Sequence, residues 1–151
     1  MADYENLEQA VKLQIESEAD LIANLSNISA FIMFYLEDLN WAGFYILKGD
    51  ELVLGPFQGK PACCRIPLGK GVCGTAARQK TTIRVEDVHK FEGHIACDSA
   101  SNSEIVVPLC KNGQVWGVLD IDSPNLNRFS EIDQINLEKI AKIIETAINF
   151  S

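Results

Sequence analysis

Cysteine and carboxylate side chains are the groups in this sequence whose types and spacing are best suited to chemistry. Cys97 lies inside the stretch GHIACDSASNSE, in which small polar residues follow the thiol. A structural cysteine usually lies in apolar packing, where its thiol stays unreactive. The polar neighbours therefore indicate either a surface loop without a chemical role or a thiol that reactants must reach.

Two carboxylates lie two residues apart in GVLDIDSP. Because side chains alternate between the faces of a strand, Asp120 and Asp122 leave a predicted strand on the same face. Like charges so close cannot both ionise readily unless a cation lies between them; otherwise one carboxyl keeps its proton at neutral pH. The alternative for an isolated pair of this kind is a solvated strand end.

Glu104 is a third carboxylate, and strand register decides whether it joins the other two. An ideal two-residue turn pairs Lys111 with Gln114. Counting back from this pair sets Glu104 opposite Ile121, on the face away from the aspartates. Pro108 indicates an edge strand or a bulge, and one bulged residue near it would turn Glu104 to the aspartate face.

Aromatic residues follow the same alternation in WAGFYILK. Trp41, Gly43 and Tyr45 share one face of the predicted strand, so the two aromatic rings could wall a pocket, with Gly43 leaving room between them. The alternative is that both rings are ordinary amphipathic core residues.

Four further cysteines accompany Cys97, and an odd total argues against a permanent disulfide framework. Cys73 begins a predicted short helix, where the helix dipole and free N–H groups favour a thiolate. Cys63 and Cys64 are adjacent, so one should face inward and the other outward. Cys110 lies among apolar residues and is expected in the core.

A metal site is a weaker interpretation of the residues around Cys97. His94 and Cys97 have a ligand-like spacing, and they could combine with the acids. A structural zinc site needs four close ligands, and no second paired half is present in the sequence. We therefore expect no metal site.

Helices at both ends frame a central set of strands. Apolar residues recur at helical spacing over residues 21–39 and 137–148, with a weaker helix expected over residues 4–20. Ser130 and Asp133 fit a capping box for the last helix. Residues 41–57 predict a hairpin, 63–66 and 81–85 short strands, and a short helix begins near Val72. Asn112-Gly113 predicts a second hairpin, and the order favours an α+β domain with an antiparallel sheet.

Composition excludes several classes of protein. Hydrophobic residues make up 47% and charged residues 23% of 151 residues, which predicts one globular domain over residues 1–151. The formal net charge of −8 and the lack of a basic cluster argue against a nucleic-acid partner. An acidic N-terminal stretch and short apolar runs argue against a signal peptide or membrane association, so we predict a cytoplasmic protein.

A family resemblance is carried by six blocks that occur in order from Asn40 to about Ser123: WAGFY, LGPFQGKPAC, IPLGKGVCGTA, RVEDVH, GHIACDSASNSEIVVPL and GVLDIDSP. Together they resemble the free methionine-(R)-sulfoxide reductases, small enzymes built on the GAF fold. The resemblance implies a single GAF-like domain with an antiparallel sheet of about six strands and helices packed on one face, within the α+β class.

The resemblance also implies roles for three thiols. Cys97 matches the family's nucleophile, Cys63 its resolving cysteine, and Cys73 a second thiol able to resolve or relay. Two cysteines depart from the family pattern. Cys64 follows Cys63 directly, which leaves open which of the two resolves, whereas Cys110 is an additional thiol without an implied role.

The implied substrate pocket combines acids with an aromatic wall. The family's pocket acids fall on Glu104, Asp120 and Asp122, and its aromatic residues on Trp41 and Tyr45. A free amino acid carries an ammonium group that clustered carboxylates favour, whereas a peptide nitrogen is neutral. Free methionine (R)-sulfoxide is therefore the expected substrate.

The implied reaction needs a thiolate on the sulfoxide sulfur and a proton on its oxygen. The resulting sulfenic acid on Cys97 would condense with a second thiol, and thioredoxin would reduce the disulfide. We expect no bound cofactor, and the family suggests a homodimer. The alternative is a non-catalytic GAF module that binds a small ligand or senses redox state; the absence of an output domain in the sequence argues against it.

Overall fold

The structure is a computed structural model that describes residues 3–93 and 100–148. Within these residues the elements follow the predicted order. The helices are α1 (Tyr4–Ser17), α2 (Leu21–Tyr35), α3 (Gly71–Gln79) and α4 (Glu131–Glu145). The strands are β1 (Trp41–Lys48), β2 (Glu51–Gly59), β3 (Arg65–Pro67), β4 (Ile83–Val85), β5 (Ser103–Lys111) and β6 (Gln114–Ser123).

Local signals explain where the long helices begin. The Asp20 carboxylate accepts from the Ala23 backbone N–H at the start of α2. At α4 the predicted capping box forms: Ser130 Oγ accepts from the Asp133 N–H, and Asp133 Oδ2 accepts from the Ser130 N–H. Among the described residues, none of the helices combines the length and apolarity needed to cross a bilayer.

The strands form one six-stranded antiparallel sheet in the order β3-β2-β1-β6-β5-β4, as expected for the α+β fold class. β1 and β6 lie at its centre, and the two predicted hairpins flank that seam. The Asn112-Gly113 turn has positive φ angles of 55° and 78°, which a type I′ turn requires.

The two faces of the sheet are covered differently. The larger core packs α1, α2 and α4 against one face, which Phe44, Leu119 and Ile121 help to form, all with no exposed surface. A smaller core on the other face contains Tyr45 and Val118 with residues of the short α3. The three long helices thus share one face, and α3 partly covers the opposite one.

A register shift in the second hairpin decides which face Glu104 joins. Lys111 pairs with Gln114 as expected, but Cys110 pairs with Val115 and Leu109 with Gly117. Trp116 of β6 is therefore the extra, bulged residue. The ideal register for Glu104 is wrong by one position because of this bulge, which lies near Pro108 but on the partner strand.

Cys110 lies at an open part of the sheet edge, not in the core as expected. β4 pairs with β5 only as far as Val106, so within residues 3–93 and 100–148 the rest of β5 has no neighbouring strand on that side. Cys110 is half-buried, and its backbone N–H donates to Glu145 Oε2 at 2.6 Å. Pro108 in the same stretch agrees with the preference of proline for strand edges.

Candidate active site

Three carboxylates meet on the sheet face opposite the long helices. Glu104 pairs with Asp122 across β5 and β6, and Val106 pairs with Asp120. Glu104 is 7% exposed and Asp120 is 5% exposed. Asp122 is less covered as a residue, but its Oδ1 is buried and has no hydrogen-bond partner in the described part of the chain. The bulge at Trp116 is what brings Glu104 to this face.

Burial and mutual repulsion govern the charge of this cluster. The pKa of Glu104 is raised well above its usual range. Burial is the largest cause, and the charges of the nearby Asp120 and Asp122 add to it. Burial and then Asp120 raise the pKa of Asp122, whereas its hydrogen bonds with Glu104 and Ser101 act in the opposite direction. The hydrogen bond between the two carboxyls acts to raise the pKa of Glu104 and to lower that of Asp122, so a proton shared by the pair favours Glu104, with Asp122 as its acceptor.

Cys73 lies directly beside this cluster. Its Sγ donates to Glu104 Oε2 at 4.0 Å, and the residue is 4% exposed. Burial and then Asp120 and Glu104 raise the pKa of the thiol well above its usual range. The expectation that the N-terminus of α3 favours a thiolate at Cys73 is therefore wrong, because burial and the nearby acids outweigh the helix dipole.

Cys73, Glu104 and Asp120 are also the described residues whose donor atoms are close enough to hold a metal ion, all within 4.8 Å of one another. A thiolate with two carboxylates would suit a thiophilic divalent cation. The raised pKa of Cys73 and of Glu104 opposes this, since both groups would have to release protons on binding.

The two predicted aromatic residues lie on the same face as the acids. Trp41 pairs with Asp122 across β1 and β6, and Tyr45 pairs with Val118. The two rings are stacked with centroids 6.0 Å apart, and each residue is 2% exposed. Burial and then Asp120 raise the pKa of the Tyr45 hydroxyl, so it remains a proton donor.

The space beside Gly43 is filled by a residue that the sequence pattern did not single out. Phe57 of β2 pairs with Gly43, and a Cβ on this glycine would lie 2.3 Å from Phe57 Cβ. The Phe57 ring stacks on Trp41 with centroids 5.2 Å apart. Gly43 thus makes room for an aromatic neighbour, and directly after this pair β2 contains one residue more than β1, which is a bulge in β2.

Ser101 is a second residue whose contact with the site was not predicted. It is 5% exposed, forms a hydrogen bond with Asp122 and accepts from Asn40 Nδ2 at 3.0 Å. Its position in the polar stretch after Cys97 was visible in the sequence, but its contact depends on where the chain enters β5.

The adjacent cysteines differ as expected for neighbours in an extended segment. Cys63 is half-buried, packs against the smaller core and is disulfide-bonded. Cys64 is exposed and is a free thiol, as are Cys73 and Cys110. The predicted nucleophile Cys97 and the histidine His94 lie outside the described residues.

Comparison with known protein families identifies one family model along most of the chain. The model for the GAF domain matches residues 23–149. The sequence is also 50% identical over 145 residues to the free methionine-R-sulfoxide reductase of Escherichia coli, covering 96% of this chain and 88% of that protein. The enzyme of the same name from Saccharomyces cerevisiae is 48% identical, covering 89% of this chain and 79% of that protein.

Comparison with solved structures finds similar proteins of the same name. The structure of fRMsr of Staphylococcus aureus in complex with substrate superposes with a TM-score of 0.92 at 52% sequence identity, covering 97% of this chain and 96% of that chain. The free methionine-R-sulfoxide reductase of Neisseria meningitidis, also in complex with its substrate, gives a TM-score of 0.92 at 44% identity, covering 95% of this chain and 87% of that chain.

Proposed function

The chain belongs to the GAF-domain family and, within it, to the free methionine-R-sulfoxide reductases, and we propose on this premise that it reduces free methionine (R)-sulfoxide to methionine. The observation that carries the proposal is the buried cluster of Glu104, Asp120 and Asp122 on one face of the sheet. Two of the similar solved structures are described as complexes with substrate.

The acid cluster suits a free amino acid. With Glu104 as the favoured site for a shared proton, a charge on an aspartate of the cluster would lie in a buried place and would favour a bound ammonium group. A methionine residue within a peptide has a neutral amide nitrogen in that position. The cluster thus selects the free amino acid.

The first chemical step transfers the sulfoxide oxygen to a thiol. We assign the attack on the sulfoxide sulfur to the Cys97 thiolate and the protonation of its oxygen to Glu104, a role that the burial and the raised pKa of Glu104 support. The S–O bond of the substrate breaks, methionine leaves, and Cys97 becomes a sulfenic acid. One sulfoxide is reduced and one thiol is oxidised.

The second step forms a disulfide and releases water. We propose that Cys63 attacks the sulfenic acid, because Cys63 is disulfide-bonded in the structure whereas Cys64, Cys73 and Cys110 are free. Exposed Cys64 is then the neighbour that does not resolve.

The proposal also includes the reductant, the cellular compartment and the oligomeric state. Thioredoxin would restore both thiols by dithiol exchange, without a bound cofactor or metal. The cycle requires a compartment that supplies such a dithiol, which the cytoplasm does. We extend the proposal to a homodimer, which size-exclusion chromatography with light scattering would test.

The decisive experiment compares the two epimers of free methionine sulfoxide. With thioredoxin, thioredoxin reductase and NADPH, the R epimer should be consumed and the S epimer should not. N-acetylmethionine (R)-sulfoxide, in which the ammonium charge is absent, is the matched control and should react poorly. A GAF module that only binds or senses would consume none of the three compounds.

Cys97→Ser provides the second test of the proposal. Removing a nucleophile usually costs several orders of magnitude in kcat, and a loss of less than about tenfold would contradict the assignment. Cys110→Ser is the control, because this half-buried thiol lies at the sheet edge beside Glu145.

A further inference from the structure

The segment that carries Cys63 has no helix or strand of its own. β2 ends at Gly59 and β3 begins at Arg65, so residues 60–64 form a connection between them. The backbone of such a connection is positioned by the groups it bonds to, not by a ladder. We call residues 60–64 the thiol segment.

Two aromatic side chains of β1 donate hydrogen bonds to the backbone of the thiol segment. Trp41 Nε1 donates to the Lys60 carbonyl at 3.2 Å, and the Tyr45 hydroxyl donates to the Cys63 carbonyl at 2.9 Å. One bond is made at the start of the segment, and the other is made at the cysteine itself. The Leu54 N–H fixes the far end by donating to the Cys64 carbonyl at 2.9 Å.

The donors themselves are firmly held. Trp41 lies between the Tyr45 and Phe57 rings, with stacked centroids 6.0 and 5.2 Å away. Both Trp41 and Tyr45 are 2% exposed, and Trp41 pairs directly with Asp122. The hydrogen bonds therefore tie the thiol segment to β1, which pairs with β6, the strand of Asp120 and Asp122.

We infer that Tyr45 is a positioning residue for Cys63: its hydroxyl holds the cysteine's backbone so that the thiol meets the sulfenic acid formed at the site. This inference rests on the proposed function. In this step the Cys63 sulfur forms an S–S bond with the sulfur of the Cys97 sulfenic acid. The S–O bond of the sulfenic acid breaks, and the oxygen leaves as water. Both sulfurs belong to one chain, so the rate depends on how often they are in reach of each other.

The hydroxyl of Tyr45 is committed to this backbone contact. The ring was expected to form part of the wall of the substrate pocket, a role that needs no hydroxyl. Tyr45→Phe separates the two roles because it keeps the ring and removes only the donor. A Phe ring would still stack on Trp41, while the Cys63 carbonyl would lose its partner.

The test follows one oxidation of reduced enzyme in the absence of reductant. Methionine release reports oxygen transfer, dimedone labelling reports the sulfenic acid, and mass spectrometry reports the disulfide. In Tyr45→Phe we expect disulfide formation to slow by about three- to tenfold, the range expected for one lost hydrogen bond. Dimedone-labelled enzyme should accumulate as a result, and kcat with thioredoxin should fall more than KM changes.

Tyr4→Phe is the matched control for the loss of a buried hydroxyl. The Tyr4 hydroxyl donates to Asp133 Oδ1 at 2.6 Å, far from the thiol segment on the helix-covered side. This variant should lose stability in thermal unfolding yet form the disulfide at the wild-type rate. A purely structural effect of Tyr45→Phe would make the two variants behave alike.

Two results would overturn the inference. Disulfide formation at the wild-type rate in Tyr45→Phe would mean that the contact does not position Cys63. Slower methionine release with a raised KM, and no extra sulfenic acid, would assign the hydroxyl to substrate binding instead. Oxidation by hydrogen peroxide in place of the sulfoxide forms the same sulfenic acid, so the comparison remains decisive even if the proposed substrate is wrong.

Discussion

The two faces of the central sheet use alternate residues of the same strands for different purposes. On β6, Leu119 lies in the larger core with no exposed surface, whereas its neighbour Asp120 joins the acid cluster at 5% exposure. One face gains stability from apolar burial, whereas the other combines a smaller apolar core with buried carboxylates, which lower stability. The central strands β1 and β6 therefore contribute residues both to the face that stabilises the fold and to the face that carries the reactive groups.

The largest predicted effect concerns the reactive face. Glu104→Gln keeps the shape of the side chain but removes the acidic proton, so kcat for free methionine (R)-sulfoxide should fall about 100-fold or more. Glu16→Gln on the exposed side of α1 is the control and should have wild-type kinetics. A kcat within about threefold of wild type in Glu104→Gln would remove this residue as the proton donor.

Glu104→Gln should also make the protein more stable, although it lowers kcat. The pKa of Glu104 is raised in the folded protein, so its contribution to stability decreases as pH rises above its unfolded value of about 4.3. Glu104→Gln removes this penalty and should raise the thermal midpoint at pH 7 by about 3 °C or more. The gain should vanish when unfolding is measured near pH 3.

The next largest effect breaks the stabilising face. Leu119→Ala leaves a cavity under the long helices and should lower the free energy of unfolding by about 2–5 kcal/mol in urea titrations. Asp120→Asn, one residue away on the other face, should leave unfolding nearly unchanged. Instead it should raise KM by about tenfold through loss of a charge-assisted contact to the ammonium group. Equal stability losses in both variants would contradict the division between the faces.

A smaller predicted effect concerns how stability depends on pH. This dependence has opposite signs for Asp133 on the helix-covered face and for Glu104 on the other face. Asp133 lies on the helix-covered side, where Ser130, Tyr4 and Arg128 contact its carboxylate. Burial acts to raise its pKa, but the backbone hydrogen bond at Ser130 and the other contacts outweigh this, so the pKa is lowered.

The stability contributed by Asp133 is therefore present above its unfolded pKa of about 3.9 and is lost as pH falls through its folded value. Asp133→Asn should cost about 1–2 kcal/mol at pH 7 and much less at pH 2. Unfolding curves at both pH values measure this difference. A constant loss at both pH values would mean that the carboxylate charge contributes nothing.

Sequence patterns predicted the faces more successfully than the register. Alternation placed Asp120 with Asp122 and Trp41 with Tyr45, and the structure confirms both groupings. The position of Glu104 depended on a single bulged residue, Trp116. No local signal marks that residue, because a bulge is decided by how two strands fit the packing on both of their faces.

The chemistry of individual groups was harder to predict for a related reason. Helix position alone gave Cys73 a lowered thiol pKa, but its actual neighbours are Glu104 and Asp120, which are distant in sequence. Similarly, alternation could show which way Tyr45 points but not that the Cys63 carbonyl would meet its hydroxyl. These contacts depend on how distant segments pack, and a single sequence contains no direct signal for them.

The smallest predicted effect concerns the cap of α4, on the stabilising face. Ser130→Ala removes the side-chain acceptor for the Asp133 N–H and should cost about 1 kcal/mol of stability, with kcat and KM unchanged. Ser26→Ala in α2 is the control, since Ser26 Oγ donates to the Ile22 carbonyl within its own helix and alanine favours a helix. Urea unfolding measures both variants, and a change in KM in Ser130→Ala would show that α4 acts on the site through the sheet.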